Sequence, residues 1–99
     1  MSKGTELIAQ ERHRQIEKEG WTQEHDSTHD NDDIAKCGAW YAIPERIRER
    51  LRKENFDLWV WNKKFYKPSK DNSSAERIKE LTKAGALIAA EIDRIIAKE

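Results

Sequence analysis

Cysteine, proline and glycine are all scarce in this chain: one, two and four among 99 residues. A single cysteine, Cys37, rules out an internal disulfide and points to a reducing, cytoplasmic setting. Long apolar runs are missing too. Nothing approaches the ~20 residues of a membrane span, and the opening MSKGTELIAQ has no apolar signal core. Net charge is also absent, since 19 basic residues balance 19 acidic ones, which argues against capture of double-stranded DNA by simple attraction. Hydrophobic residues make up 36% of the chain and charged residues 38%, so the core has to be thin. A chain of this length is expected to form one helical domain over residues 1–99.

What is present reads as helix. Residues 5–19, TELIAQERHRQIEKE, run from a Thr5 cap to a Gly20 stop. Leu7, Ile8 and Ile16 share a face with Glu11, Arg12 and Gln15, polar groups that must reach solvent or meet buried partners. A second helix is predicted at about 33–42, with Asp30, Asn31 or Asp32 as its cap and Ile34, Gly38, Tyr41 and Ala42 on one face. A short third covers about 44–54, starting at Pro44, with Ile43, Ile47 and Leu51 as its seam. Residues 55–72 break the pattern and read as an ordered loop.

The last helix begins with a capping box, Ser73 and Glu76. Ile78, Leu81, Gly85, Ile88, Ile92 and Ile95 follow at alternating three- and four-residue steps, which predicts a core-facing spine. Its small-residue centre invites close approach by the helix bearing Gly38. The predicted fold is all-α: a small bundle of three to four helices with an aromatic and basic loop before the C-terminal helix.

Residues 20–33, GWTQEHDSTHDNDD, gather five carboxylates and two histidines. His25 and His29 are four apart, so on one helical turn they could grip a metal, with Asp26 or Asp30 adding oxygen, a donor set suited to zinc, manganese or iron. The competing reading needs no metal. Arg12 pairs with Asp26 or Glu24, Gln15 assists, and Trp21 anchors the segment as a clasp on the first helix. The clasp is preferred because it also explains the polar interruptions of that helix. Helical phosphohydrolases hold magnesium with carboxylates three residues apart. The first two elements offer only Asp30 and Asp33 at that spacing, and Glu91 and Asp93 point to different faces. Cys37, mid-helix among apolar neighbours, reads as packing.

Residues 46–70 carry nine basic side chains against three acidic ones. Trp59 and Trp61 beside Lys63, Lys64 and Lys67, with Arg46 and Arg50 on the neighbouring helix, are the ligand-binding candidates. Stacking faces next to cations suit a nucleotide-like anion. The alternative is that both tryptophans are a lid over a thin core.

Three stretches carry a resemblance: EKEGWTQEHDSTHDNDDIAKCGAWYA, WVWNKKFYKPS and LTKAGALIAAEIDR. In that order, over residues 8–94, they resemble a family of small proteins of tailed phages and prophages. Arg12, Gln15, Gly20, Trp21, His25, Asp26, His29, Trp59, Trp61, Lys67, Lys83 and Glu91 match its pattern. Asp32-Asp33-Ile34 departs from the family's Gly-Glu-Leu, and Trp59-Val60-Trp61 from its Trp-Pro-Trp. The resemblance implies a phage-type accessory protein and no particular activity. The expected function is therefore non-catalytic binding of a nucleotide-like ligand or a host protein, without a cofactor or a membrane. The rivals are a metal-dependent hydrolase centred on His25, Asp26 and His29, and a homodimer formed through surplus apolar surface on the C-terminal helix.

Overall fold

The computed structural model describes residues 2–19 and 32–99. Four α-helices are present among them: α1 (Lys3–Glu19), α2 (Asp33–Ala42), α3 (Glu45–Lys53) and α4 (Ser74–Lys98). A 3-10 turn at Lys63–Phe65 interrupts the connection before α4, and no strand occurs among the described residues. The all-α architecture is the one predicted. At 1.5 Å per residue α4 spans about 38 Å, the full 38 Å long axis of the molecule, and both α1 and α2 pack against it.

Helix ends follow local chemistry, with two departures: α1 begins at Lys3, ahead of the expected Thr5 cap, with the Ser2 hydroxyl accepting from the Thr5 N–H, and α2 lacks its expected cap. Ser73 caps α4, its hydroxyl accepting from the Glu76 N–H, while the Glu76 carboxylate accepts from the Lys70 N–H and so ties the preceding loop to the helix. Asp32 stands at the N-cap of α2 in a left-handed conformation (φ 64°) and makes no side-chain cap, contrary to the expected Asx cap. The end of α3 is a Schellman arrangement. Phe56 N–H donates to the Leu51 carbonyl and Asn55 N–H to the Arg52 carbonyl, with Asn55 left-handed at φ 62°.

The face that α4 turns inward is not the predicted one. Ile78, Leu81, Ile88, Ile92 and Ile95 are each roughly half exposed, and Ile96 beside them is 61% exposed. The buried positions are Glu80, Ala84, Ala86, Leu87, Ala90 and Arg94. Both faces obey three- and four-residue spacing, so periodicity does not choose between them. Close approach does. A Cβ on Gly38 of α2 would lie 3.3 Å from Leu87 Cβ and 3.5 Å from the Ala84 carbonyl oxygen. The predicted meeting of Gly38 with the small-residue centre of α4 thus occurs, through Ala84 and Leu87. Gly85 serves α1 instead: Ile8 lies over it, where an added Cβ would come within 2.5 Å of the Ile8 side chain.

The core is one cluster of Ile34, Cys37, Trp40 and Tyr41 from α2, Trp59 from the loop, and Ala84, Leu87 and Ala90 from α4. Ile43 and Leu51 pack against it as expected of the α3 seam, while Ile47 stays at the surface. The residue α3 buries completely is Arg48.

Candidate functional site

Arg48 is fully enclosed because it has work at both ends of its guanidinium. Nη2 meets Glu80 Oε2 at 2.5 Å, Nη1 donates to the Trp40 carbonyl at 3.1 Å, and Nε donates to Glu45 at 3.1 Å. Arg77 completes the group, donating to Glu80 Oε1 at 3.0 Å, to the Tyr41 carbonyl at 2.8 Å, and to the Ala42 carbonyl. Three terminal carbonyls of α2, which no helical N–H can reach, therefore end on two guanidinium groups at the negative end of the helix dipole. Burial alone would push the Glu80 carboxyl up. The Ser69 N–H and the guanidiniums of Arg48 and Arg77 outweigh that and hold it below the usual carboxylate range. This network is structural: every polar atom named in it is already engaged.

The aromatic loop is a second layer of the core. Trp59 is 6% exposed; Tyr41, Trp61 and Tyr66 surround its ring at 5.3, 5.7 and 5.0 Å between centroids. Its indole N–H donates to the Asn62 carbonyl. Trp61 is half-buried at the edge of the same cluster. The lid alternative describes both residues, and Trp59 has no free face on which a base can stack. Cys37 lies beneath them, and burial pushes its thiol up to about 11.

The predicted basic side chains do not converge on one point. Lys63 pairs with Asp57 at 3.0 Å, and Lys64 lies over the Phe65 ring at 5.1 Å. Arg46 lines a cleft of about 430 Å³ with Glu45, Asp71 and Arg77, a wall of mixed charge. Arg50 is exposed on α3. Lys63 lies at a further cleft of about 360 Å³, again mixed, with Glu45, Arg52 and Asp57. The sequence's one Glu-x-x-Asp pair, Glu54 and Asp57, gives no paired carboxylate face: Asp57 accepts from the Trp59 N–H and from Lys63.

Lys67 belongs to a different group. With Lys70, Lys79 and Lys83 it lines a cleft of about 130 Å³ between the loop and the first half of α4. Lys70 falls in the basic run, but nothing in the sequence joins Lys79 and Lys83 to it; only the fold of the loop onto α4 does. On α1, Arg12 is buried and meets Asp93 of α4 at 3.4 Å, a partner the sequence did not suggest. Gln15 is buried beside it, its amide nitrogen donating to Glu11 and its carbonyl oxygen without a hydrogen bond among the described residues. The expected clasp partners Glu24, Asp26 and Trp21, and the metal candidates His25, Asp26 and His29, lie outside the described residues. Among the described residues no group of three or more metal-ligating side chains occurs, and no helix is long and apolar enough to cross a membrane.

No known family, curated protein or solved structure matches the chain.

Proposed function

We propose that this protein acts without catalysis, by docking another polypeptide on the aliphatic stripe of α4, and that the first occupant of the stripe is a second copy of the chain. One observation carries the reading: Ile78, Leu81, Ile88, Ile92, Ile95 and Ile96 stand 46–61% exposed on one side of a 25-residue helix. Soluble monomers rarely leave more than a few hundred Å² of apolar surface contiguous, and these six side chains expose on the order of 400 Å². Ile8, seated over Gly85, closes the gap the glycine leaves in the row.

The spacing and chemistry of the row favour a like partner. Alternating three- and four-residue steps are the seam of a left-handed helix pair, in which side chains of one helix fill gaps in the other. The row contains no charge, so it needs no complementary charge opposite. A two-fold pair of stripes would remove on the order of 800 Å² of aliphatic surface, and the backbone and small residues around them bring it toward the ~1,200 Å² where specific interfaces begin. A small phage-type accessory protein, the role implied by the resemblance, is compatible with binding of this kind, and a host protein presenting an amphipathic helix would compete for the same seam.

Light scattering across a concentration series tests the proposal. The wild-type chain is expected as a dimer, and Ile88→Glu with Ile92→Glu as a monomer of unchanged helical circular dichroism. A wild-type chain that stays monomeric into the millimolar range ends this reading.

A further inference from the structure

We infer that the lysine cleft between the loop and α4 is a binding site for a small phosphate-bearing anion, held by Lys67, Lys70 and Lys83. It stands on observations independent of the aliphatic stripe.

Charge balance is the first. Both carboxylates in the cleft wall are already committed: Glu80 to Arg48, Arg77 and the Ser69 N–H, and Glu76 to Lys79 at 2.9 Å and the Lys70 N–H. Lys67, Lys70 and Lys83 have no carboxylate partner among the described residues. Lys83 is the telling one. It is half-buried, its ammonium donating to the Lys67 carbonyl at 3.0 Å and lying 5.7 Å from the centre of the Tyr41 ring. A carbonyl and a ring face orient an ammonium without neutralising it. Burial holds its pKa below the ordinary lysine value, outweighing Glu11 of α1, Glu76 and Glu80, which attract it without an ion pair and which Arg14 opposes. A fold that holds an ammonium partly out of water, beside two more, leaves the position of an anion open.

Size and surroundings set the class. A cleft of about 130 Å³ has room for a phosphate or pyrophosphate group and not for a nucleobase with its sugar. No aromatic side chain lines the cleft, and Tyr41, whose ring lies beside the Lys83 ammonium, is packed edge-on against Trp59 at 5.3 Å and gives a base no platform. Recognition is therefore of the phosphate end, by point charges, and any nucleoside attached to it remains in solvent. This narrows the nucleotide-like ligand expected from the sequence to its anionic part.

Inorganic pyrophosphate is the probe, titrated calorimetrically into the full chain and, in parallel, into protein carrying labelled lysine side chains followed by NMR. Saturable binding is expected, with the Lys83 pKa rising toward its ordinary value as the site fills. Lys83→Met should weaken binding at least about tenfold while raising the melting temperature of the ligand-free protein, because a half-buried ammonium without an ion-pair partner is gone. Lys3→Met, on α1 away from the cleft, should change neither. A nucleoside without phosphate should not bind, and a nucleoside diphosphate should bind like pyrophosphate. No binding at millimolar pyrophosphate, equal weakening by Lys83→Met and Lys3→Met, or binding of oligonucleotides alone would each overturn the assignment.

Discussion

Replacing Glu80 by Gln tests whether the charged group at the centre of the molecule holds the helices in place. The side chain is 1% exposed and Arg48, its partner, 0%. Glutamine keeps the volume and one acceptor oxygen. It removes the negative charge that two guanidiniums share and forces an amide NH2 against Arg48, Arg77 or the Ser69 N–H. Taking one member from a buried ion pair costs about 3–5 kcal/mol, mainly because the other charge stays buried. Arg48 retains Glu45 at 3.1 Å, and that carboxylate is 40% exposed and weakly felt, so the lower end of the range applies, about 3 kcal/mol. Against a total of roughly 5–15 kcal/mol for a domain, this is a large fraction, equivalent to a fall of more than 10 °C in melting temperature.

Urea and thermal unfolding measure it, with Glu49→Gln as the surface control. Glu49 and Lys53 are both largely exposed at 3.9 Å, and their separation should cost no more than about 0.5 kcal/mol. Acid gives an independent reading. The folded carboxyl of Glu80 titrates below its unfolded counterpart, so below the unfolded value of about 4.3 the unfolded chain binds the proton more readily. Its contribution is complete above that pH and is lost as pH falls through the folded pKa; Glu80→Gln should flatten this part of the acid transition. A loss under about 1 kcal/mol, with an unchanged acid limb, would refute the view that this pair organises the bundle.

Three further perturbations test separate parts of the fold. Gly85→Ala gains up to about 1 kcal/mol of helix propensity but drives a methyl to within 2.5 Å of Ile8, an overpacking cost of about 1–3 kcal/mol. It should destabilise the wild-type chain and stabilise an Ile8→Ala background, a change of sign that unfolding of the four variants reads directly. Asn55→Val places a β-branched residue at φ 62° and should cost about 1–2 kcal/mol in urea unfolding, whereas Asn55→Gly should cost nothing. Cys37, with its thiol raised to about 11 by burial, should resist a thiol reagent at pH 8 and react only after denaturant is added. Fast labelling of the native protein would contradict its place in the core.

The sequence disclosed the elements far better than their orientation. The four helices, the Ser73 cap, the Gly38 contact and the ordered aromatic loop all follow from capping residues, small residues and broken periodicity. The inward face of α4 did not, because apolar spacing counts grease and not depth of approach. Ala84 and Leu87 receive the α2 backbone at Gly38, with Ile88 only at the margin of that contact. Arg48 was equally hidden. Arg46, Arg50 and Arg52 flank it at the same spacing and all three are exposed, and nothing local distinguishes the one that enters the core. Its position is decided by the open carbonyl of Trp40 and the carboxylate of Glu80, a demand that exists only once α2 has ended beside α4. The lysine cleft is legible in part: Lys67 and Lys70 stand in a visible basic run, while Lys79 and Lys83 join them through tertiary structure.

The buried charges and the exposed isoleucines answer the same constraint. A chain with 36% hydrophobic residues and four helices has too little aliphatic surface to fill an interior and also leave a seam outside, unless something other than aliphatics fills the interior. Here guanidinium, carboxylate and helix carbonyls satisfy one another along the α2–α4 contact, and edge-on and tilted aromatics cover its open side. That arrangement frees the largest side chains of α4 from the core. A helix whose inner face is alanine, paired charge and the single leucine Leu87, and whose outer face is isoleucine at coiled-coil spacing, has most of its hydrophobic driving force directed away from its own domain. Adding bulk inside should therefore damage the fold, whereas adding charge outside should leave the fold intact and abolish association. The two faces of α4 are separable by mutation.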